Sequence, residues 1–463
     1  MPGPSNMPPA RRESESSFVL THPNSTIPGS PRLDAAEGRP VWPAFACVFL
    51  VACAVRAAYL VAHIAVRWRI SNADDYQTYA ENILNFGVYG VGTTPTAWVP
   101  PGMALALAAV YKIFGVSFAA WAGFIIGINA LTCCLIWDMA RRVFGPREGL
   151  VAGLIAAVYP QFLYQTIHTD AKTIMLFGLC LGAWCLVREW QTERRRWIYM
   201  AGLAFGIAYL GRSQLLLLPA FLPIWAFLRY RPAWSKVRAA AAILVLSMGA
   251  IMMLWIGRNY LQFHSFIAGA SGEGLPFAAV NNEANFNSGR LRGLNMLDTA
   301  TSLFTVESGY VDGKGSFTQK FWDLRELDKD RLLKTATFDW IRHNPHKMAV
   351  MVLFKWKALW ISPQNYGWPV WSRMFNIPLY LGVILPFAAV GAFYLWKTDR
   401  RRAQALLIWP VIALYITALH SVFEGEIRHR IAFEPGMIIL AAAGLVYAID
   451  RKFSVAQQSP EQG

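Results

Sequence analysis

The chain has 463 residues, of which 55% are hydrophobic and 15% are charged, and it contains 19 tryptophans. This composition is too apolar for a soluble protein of that length and indicates a polytopic membrane protein. The formal net charge of +15 does not indicate nucleic acid as a partner. The basic residues form short clusters between apolar runs, a pattern that reports membrane orientation.

The N-terminal residues differ from the rest of the chain. Residues 1–40 are rich in Pro, Ser and charge and have no apolar core, which predicts a disordered cytoplasmic tail. Nothing in this tail resembles a signal peptide, so the apolar segment 41–65 is expected to be retained as the first membrane span. All six cysteines lie in apolar runs without zinc-ligand spacing, and we expect buried free thiols.

The first external loop, residues 67–102, begins with an acidic pair, Asp74 and Asp75. If Ser71 caps a helix, Asp74 lies in its first turn, and the following residues form an amphipathic helix along the membrane surface. The alternative is that the two acids only cap and solvate this helix. Their place at the end of a span, beside a Gly/Pro-rich turn and on the same side as cations at other span ends, makes them a candidate reaction centre.

Apolar run lengths and the Arg and Lys content of short loops predict ten membrane spans with both chain ends in the cytoplasm. The expected spans are residues 42–66, 117–140, 150–167, 171–188, 198–212, 214–229, 239–257, 376–396, 404–421 and 431–449. Residues 103–114 are apolar but too few to cross a bilayer, so we expect an interfacial or re-entrant helix there.

These spans divide the chain into parts. Residues 41–257 form an N-terminal transmembrane module that contains the loop 67–102, and residues 258–375 form an extracytoplasmic segment with interfacial helices. Residues 376–450 form the C-terminal transmembrane helices, and residues 451–463 form a cytoplasmic tail. The fold class expected is therefore an all-α polytopic membrane protein.

Two features mark the extracytoplasmic segment. A group of asparagines is suited to hydrogen-bonding hydroxyls, although an ordinary Asn-rich turn explains it as well: Asn281, Asn282, Asn285 and Asn287. The apolar run 346–361 is interrupted by Lys355 and Lys357. Counting it as a span contradicts the charge rule, so we place it on the outer surface.

Ionisable residues gather at the predicted outer ends of the spans. Burying one at membrane depth costs about 2.5–3.5 kcal/mol on insertion scales, so these residues require partners or a function. Mutual salt bridges are the alternative for Asp170, Lys172 and Arg212, and attraction to lipid head groups is the alternative for residues 428–430. The residues at these ends include Asp74, Asp75, His168, Asp170, Lys172, Arg212, Arg258, Asn259, His420, Glu424, Glu426, Arg428, His429 and Arg430.

A family resemblance follows from these motifs. The acidic pair ahead of a Tyr- and Ala-containing helix, followed by Trp-Val-Pro-Pro-Gly at 98–102, resembles the first external loop of GT-C glycosyltransferases, which use polyprenyl-phosphate sugars. It is most similar to the protein mannosyltransferase and lipid A aminoarabinose transferase group. The resemblance extends over residues 41–449 through Tyr159-Pro160, Thr169-Asp170, Leu210-Gly211-Arg212, Arg258-Asn259-Tyr260 and Arg428-His429-Arg430.

The resemblance implies a GT-C-like fold and an inverting sugar transfer at the periplasmic face of a bacterial inner membrane. The donor would be a polyprenyl-phosphate sugar, and the acceptor a glycolipid, a polysaccharide or a protein. The family's catalytic acid maps onto Asp74 as general base, Asp75 would orient the acceptor or assist the base, and Asp170 stands where the family has a further acid.

Fixed cations must meet the charge that develops on the departing phosphate. Guanidinium groups bind phosphate bidentately, so arginines lead the candidate donor-binding residues, with lysines as weaker ones. The candidates are Arg212, Arg258, Arg428 and Arg430, with Asn259 beside Arg258, and with Lys172, Lys355 and Lys357.

The chain departs from the family pattern at three places, which puts the acceptor in doubt. The family's Asp-Glu is Asp74-Asp75 here, its Pro-Pro-Gly-Tyr ends in Met103, and its Glu beyond the third span is Asp170. There is no nucleotide-binding glycine motif, H-E-x-x-H or C-x-x-C, so no cofactor is expected. Magnesium on the aspartates is chemically possible.

Two other classes of protein remain open. A secondary transporter places charges near the membrane midplane and has two matching halves, but no such repeat is visible in the sequence. A noncatalytic protein that binds or assembles lipid-linked glycans would keep the bundle without the chemistry.

Overall fold

The computed structural model describes residues 41–67, 75–288, 296–361 and 378–458. The predicted N-terminal tail at 1–40 and the residue Asp74 lie outside the described residues. Strand structure in the described part is limited to β1 (Gly90–Val91) and β2 (Thr94–Pro95), which pair antiparallel in the first external loop, and to one isolated bridge. The fold class predicted from the sequence, an all-helical membrane protein, is confirmed.

Helices of the first part of the chain form the larger share of the bundle. They are α1 (Trp42–Arg67), α2 (Tyr76–Phe86), α3 (Gly102–Phe114), α4 (Phe118–Val143), α5 (Pro146–Val158), α6 (Pro160–Tyr164), α7 (Lys172–Thr192), α8 (Arg196–Gly211), α9 (Leu222–Tyr230) and α10 (Trp234–Phe263). Local sequence determines where several of these helices begin. Ser117 caps α4 by accepting from the backbone N–H of Ala120 at 3.2 Å, and Pro146 opens α5, where no backbone N–H is needed.

The second part begins outside the bundle and ends inside it. Its helices are α11 (Gly274–Val280), α12 (Glu283–Asn287), α13 (Met296–Thr301), α14 (Gln319–Trp322), α15 (Glu326–His343), α16 (Pro345–Trp360), α17 (Leu385–Thr398), α18 (Arg400–Ala405), α19 (Ile408–Val422) and α20 (Glu434–Gln458). A π-helical turn, Tyr380–Ile384, leads into α17, and a 3₁₀ segment, Ile427–Ala432, leads into α20. The last helix therefore continues beyond the predicted span end at 449.

Six helical segments of the described chain are long and apolar enough to cross a membrane, and a seventh is formed if α5 and its continuation to Ile167 count as one bent span. Helix α8 has 16 residues and α19 has 15, fewer than the roughly 20 that span a hydrocarbon core. Each of the ten predicted spans overlaps a helix in the described residues. Because only six or seven described segments are long and apolar enough to cross a membrane by themselves, ten is an approximate count. Helix α7 is central, with 78% of its most apolar window buried, whereas α1 is peripheral at 22%.

The bend between α5 and α6, which measures 46°, is held by side chains from two other helices. The break comes at Tyr159–Pro160, where proline cannot continue the helical hydrogen bonds. Arg56 of α1 donates from Nη1 to the carbonyl oxygen of Ala157 at 3.2 Å, and the Tyr159 hydroxyl donates to Glu434 Oε1 at 2.9 Å. The bend directs the chain toward the loop that precedes α7.

The segment predicted to be extracytoplasmic, residues 258–375, contains a small apolar core. Ala278, Ala300, Phe321 and Leu333 form a buried cluster separate from the main core of the bundle. Helix α10 continues to Phe263, past residue 257, where the predicted span ends.

Two local expectations are not met as stated. Ser71, the expected cap, lies outside the described residues; helix α2 begins at Tyr76, and Asp75 before it has a positive φ of 58°, a left-handed conformation that cannot belong to the helix. All six cysteines are free, but Cys47 is exposed on peripheral helix α1 and Cys53 is only partly buried. An apolar run shows that a segment enters the membrane and not which of its sides faces the protein.

Candidate active site

The start of helix α2 is tied to the loop before α7. Asp75 is exposed and makes no side-chain capping bond to α2. Two residues on, Gln77 donates from Nε2 to Thr169 Oγ1 at 2.9 Å, and Trp121 donates from Nε1 to the same oxygen at 2.8 Å. Thr169 is fully buried and immediately precedes Asp170. The acidic pair of the first loop therefore adjoins a helix end that is anchored beside Asp170.

Asp170 forms the centre of a buried ion-pair group. Its Oδ2 contacts the ammonium of Lys172, and its Oδ1 accepts from the backbone N–H of Lys172 at 2.9 Å and from Arg212 Nη1 at 3.2 Å. Burial raises the pKa of Asp170, but the Lys172 and Arg212 charges more than offset that effect and hold it well below its ordinary value. A carboxylate so engaged is a poor general base, and the environment suits a residue that orients cations.

Gly211 makes the contact between Arg212 and Asp170 sterically possible. A Cβ at this position would lie 2.7 Å from the backbone nitrogen of Met175 and 3.0 Å from the carbonyl oxygen of Ala171. The end of α8 therefore presses directly on the start of α7, and only glycine allows that approach. The adjacent arginine is thereby placed beside the aspartate.

Arg428 reaches the same group from the loop between α19 and α20. It contacts Glu424 through Nη2 and pairs with Glu426 Oε2 through Nε at 2.8 Å. Burial lowers its pKa, but the two carboxylates outweigh burial and raise the pKa above its ordinary value. Arg428 also lies within electrostatic range of Asp170 and Lys172. We call Lys172, Arg212 and Arg428 the cation cluster.

Exposure distinguishes the members of this cluster. The side chains of Arg212 and Arg428 are 29% and 35% exposed, whereas that of Lys172 is 9% exposed. The two arginine side chains thus retain surface that a ligand can reach, whereas the lysine is almost completely buried. The structure brings together Asp170, Lys172, Arg212 and Arg428 of the residues predicted from the sequence.

Arg430 points away from the cluster. It is 1% exposed, and its Nε donates to Glu434 Oε1 at 2.7 Å and its Nη1 to the carbonyl oxygen of Trp360 at 3.2 Å. The guanidinium also lies 3.4 Å from the centre of the Tyr380 ring. The predicted phosphate role does not fit this position, because the group is paired inside the bundle, where it joins α20 to its neighbours.

Arg258 and Asn259 also occupy structural positions. Arg258 donates from Nη1 to the carbonyl oxygen of Thr96 at 2.7 Å and from Nη2 to that of Tyr89 at 3.0 Å. Asn259 is fully buried and donates to the carbonyl oxygen of Ile267 at 3.3 Å. These contacts fasten the first external loop and the turn after α10, so the substrate-binding role predicted for both residues is not supported by their positions.

The asparagine group is explained by its own backbone. Asn281 donates to the carbonyl oxygens of Phe277 at 2.9 Å and Val422 at 3.0 Å, and Asn282 donates to that of Ala278 at 2.8 Å. The turn interpretation therefore accounts for these buried amides without a bound hydroxyl.

Sequence reasoning missed one acidic residue of the first-loop assembly. Glu326, at the start of α15, accepts from Thr96 Oγ1 at 2.8 Å and from the Ala97 N–H at 3.0 Å, and it also contacts the Ser271 hydroxyl. The Gly272 N–H donates to the carbonyl oxygen of Trp98 at 3.1 Å. No local signal marks a single glutamate as the partner of a loop more than 200 residues away.

The described side chains do not form a metal site. Among the described residues no group of three or more His, Cys, Asp or Glu side chains is arranged to hold a metal ion. Asp74, which a metal site on the acidic pair would require, lies outside the described residues.

Comparison with known proteins supports the resemblance. Residues 98–256 match the family of dolichyl-phosphate-mannose-protein mannosyltransferases, a stretch that contains Asp170, Lys172 and Arg212 and ends before Arg258. No curated protein sequence matches the chain.

Two oligosaccharyltransferase structures show the same fold at low identity. The apo oligosaccharyltransferase of Archaeoglobus fulgidus has 14% identity and a TM-score of 0.53, with 92% of this chain and 53% of that chain covered. The Archaeoglobus fulgidus oligosaccharyltransferase AglB in complex with an inhibitory peptide and a dolichol-phosphate has 13% identity and a TM-score of 0.53, with 90% and 52% covered. ArnT from Cupriavidus metallidurans bound to undecaprenyl phosphate gives 15% identity, coverage of 90% and 80%, and a TM-score of 0.40.

The chain spans about half the length of the oligosaccharyltransferase structures that it matches. At this identity the match establishes the fold. The resemblance to GT-C glycosyltransferases drawn from the sequence motifs is confirmed by the family match and the shared fold.

Proposed function

We propose that this protein is a membrane glycosyltransferase that moves one sugar from a polyprenyl-phosphate carrier to an acceptor on the extracytoplasmic face. The observation that carries the proposal is the cation cluster, anchored through Thr169 to the helix that follows the acidic pair. A base and a set of phosphate-binding cations are the two components that such a transfer requires.

The basic loops support the placement of the site on the outer side. Asp170 and Lys172 lie at the first end of α7, and the Arg-rich stretch Arg194–Arg196 follows its other end at Thr192. A helix of 21 residues rises about 31 Å at 1.5 Å per residue, enough to cross a bilayer core. By the positive-inside rule the Arg-rich end is cytoplasmic, so the cation cluster is extracytoplasmic. In a bacterium that is the periplasmic face of the inner membrane.

The reaction is a single displacement at the anomeric carbon. Asp74 takes the proton from the acceptor hydroxyl or amine while the oxygen or nitrogen of the acceptor attacks C1 of the sugar. The bond from C1 to the phosphate oxygen breaks, its electron pair leaves with that oxygen, and the carrier departs as a polyprenyl monophosphate. One displacement inverts the anomeric configuration. Asp75, exposed at the start of α2, orients the acceptor.

The cation cluster meets the negative charge that grows on the phosphate. Arg212 and Arg428 present guanidinium surface to the ligand, and Lys172 adds a buried charge. The described cluster is balanced before donor binds, with Asp170, Glu424 and Glu426 opposite its three cations. A phosphate therefore competes with the two glutamates for Arg428.

Site-directed variants in nanodiscs loaded with polyprenyl-phosphate sugars test the proposal. Asp74→Asn is expected to abolish transfer of the sugar to the acceptor, and with it the release of polyprenyl phosphate, while the dissociation constant of the carrier stays within about twofold. Glu81→Gln, on the partly buried middle of the same helix α2, is the matched control and should retain activity. Transfer by Asp74→Asn at the wild-type rate would refute the role of the base. Carrier binding without transfer by the wild type would favour a noncatalytic protein.

A further inference from the structure

Lys355 is a buried cation that the proposed mechanism does not use. It lies on the external helix α16, is 1% exposed, and makes no ion pair among the described residues. Its ammonium donates to Asn281 Oδ1 at 2.6 Å and to the carbonyl oxygen of Val422 at 2.8 Å. Burying an ammonium against neutral acceptors is costly, so its retention at this point calls for a reason.

The contact with Val422 places the charge at the end of a helix. Val422 is the last residue of α19, where carbonyl groups lack helical partners and the helix dipole favours a cation. Asn281 donates to the same carbonyl at 3.0 Å. The C-terminus of α19 is thus held by one side chain of α16 and one residue from the end of α11.

The loop that begins there is the loop that carries Arg428. Gly425 lies directly against the backbone of α16, because a Cβ on it would come within 2.4 Å of the carbonyl oxygen of Lys355. Glu424, beside this glycine, contacts Arg428. Lys355 therefore contacts the residue from which the loop leaves α19, while Arg428 lies at the opposite end of that loop, in the cation cluster.

We propose that Lys355 is a positioning residue for the donor phosphate, holding the loop 423–428 so that Arg428 remains in the cation cluster. The inference rests on the proposed function, since the phosphate is that of a polyprenyl-phosphate donor. Lys355 touches neither sugar nor phosphate. It acts through the end of α19, and its loss lets the loop move away from Asp170 and Lys172.

The test measures binding of polyprenyl phosphate and steady-state transfer by Lys355→Met, Lys355→Arg and Lys347→Met. Lys347 is the matched control, because it lies on the same helix but pairs with Glu283 at 2.7 Å on the surface. Lys355→Met should weaken carrier binding by about tenfold or more and leave the KM of the acceptor unchanged. Lys355→Arg, which keeps the charge, should restore most of the affinity, and Lys347→Met should behave as wild type.

A pH profile separates positioning by charge from simple packing. Burial lowers the pKa of Lys355 to about 7. Glu424 is the ionised group that acts on it, and Glu424 itself contacts Arg428 and His429. Carrier affinity of the wild type should fall as pH rises through about 7 and the ammonium is lost, and Lys355→Arg should not show this fall.

The outcomes are distinguishable. If Lys355→Met fails to fold, Gly425→Ala perturbs the same loop where its backbone packs against α16 and should weaken carrier binding likewise. Wild-type affinity in Lys355→Met, or an equal loss in Lys347→Met, overturns the positioning role alone. A wild type that binds no polyprenyl phosphate overturns the proposed function and this inference together.

Discussion

Replacement of Asp170 by Asn tests how the cation cluster is held. The substitution keeps the shape of the side chain and removes its negative charge. That charge pairs with Lys172, which is buried, and with Arg212, which is 29% exposed. Breaking a buried pair by removing one partner costs about 3–5 kcal/mol, and the partly exposed Arg212 pair adds about 1 kcal/mol at most. The free energy of unfolding should therefore fall by about 3–6 kcal/mol.

A double-mutant cycle isolates this effect. In Asp170→Asn combined with Lys172→Met, no unpaired ammonium remains, so the loss should be smaller than the sum of the two single losses by at least about 2 kcal/mol. Unfolding in mixed micelles, followed by tryptophan fluorescence, provides the free energies. Additive losses would refute the pairing.

Asp138 supplies the matched control for function. Its side chain is 13% exposed, against 12% for Asp170. It pairs with Arg141 and Arg142 near the C-terminal end of α4. Asp138→Asn should also lower stability but leave the affinity for polyprenyl phosphate unchanged, whereas Asp170→Asn should weaken it. Equal carrier affinities in the two variants would show that Asp170 does not organise the donor site.

Four further outcomes are expected. Arg212→Lys should weaken carrier binding by about tenfold in calorimetry, because an ammonium lacks the bidentate fork. Gly211→Val should lower both stability and carrier affinity in the same assays, since the new side chain separates the ends of α7 and α8. Arg258→Ala should reduce the transfer rate more than carrier affinity, because it frees the carbonyls of the first loop. Burial lowers the pKa of His168 to about 4, so this residue alone should make unfolding about 2 kcal/mol easier at pH 5 than at pH 7, because only the unfolded chain then binds its proton; His168→Gln should reduce the measured difference by that amount.

The positions of the membrane helices could be predicted because run length and charge are visible along the chain. The association of Asp170, Lys172 and Arg212 followed from the same information, since residues at successive outer span ends share one face of a bundle. The resemblance to GT-C glycosyltransferases added an order of motifs that no single motif specifies. These features depend on sequence distance and apolarity, which a sequence states directly.

The different positions of the Arg428 and Arg430 side chains could not be predicted. They are two residues apart in one basic run, yet one faces the cation cluster and the other is sealed against Glu434 and Tyr380. The 3₁₀ segment Ile427–Ala432 turns their side chains in different directions. The choice of partner depends on which helices pack against each side of that segment.

Arg258 was assigned to phosphate because of its guanidinium chemistry and because the Arg258-Asn259-Tyr260 motif forms part of the resemblance. In the structure its donors are used by carbonyls of the loop that contains Tyr89 and Thr96. Such contacts join residues more than 160 positions apart, and backbone carbonyls carry no sequence signal. The left-handed conformation of Asp75 directly before α2 was not predicted either, because helical periodicity does not report the backbone angles of the residue that precedes a helix.

The most direct measurement is an experimental structure with polyprenyl phosphate bound. The mechanism predicts phosphate oxygens within about 3 Å of guanidinium nitrogens of Arg212 or Arg428, with Asp74 on the same side of the membrane and facing the same cavity. A phosphate held at the opposite membrane face, beside Arg141 and Arg142, would contradict it.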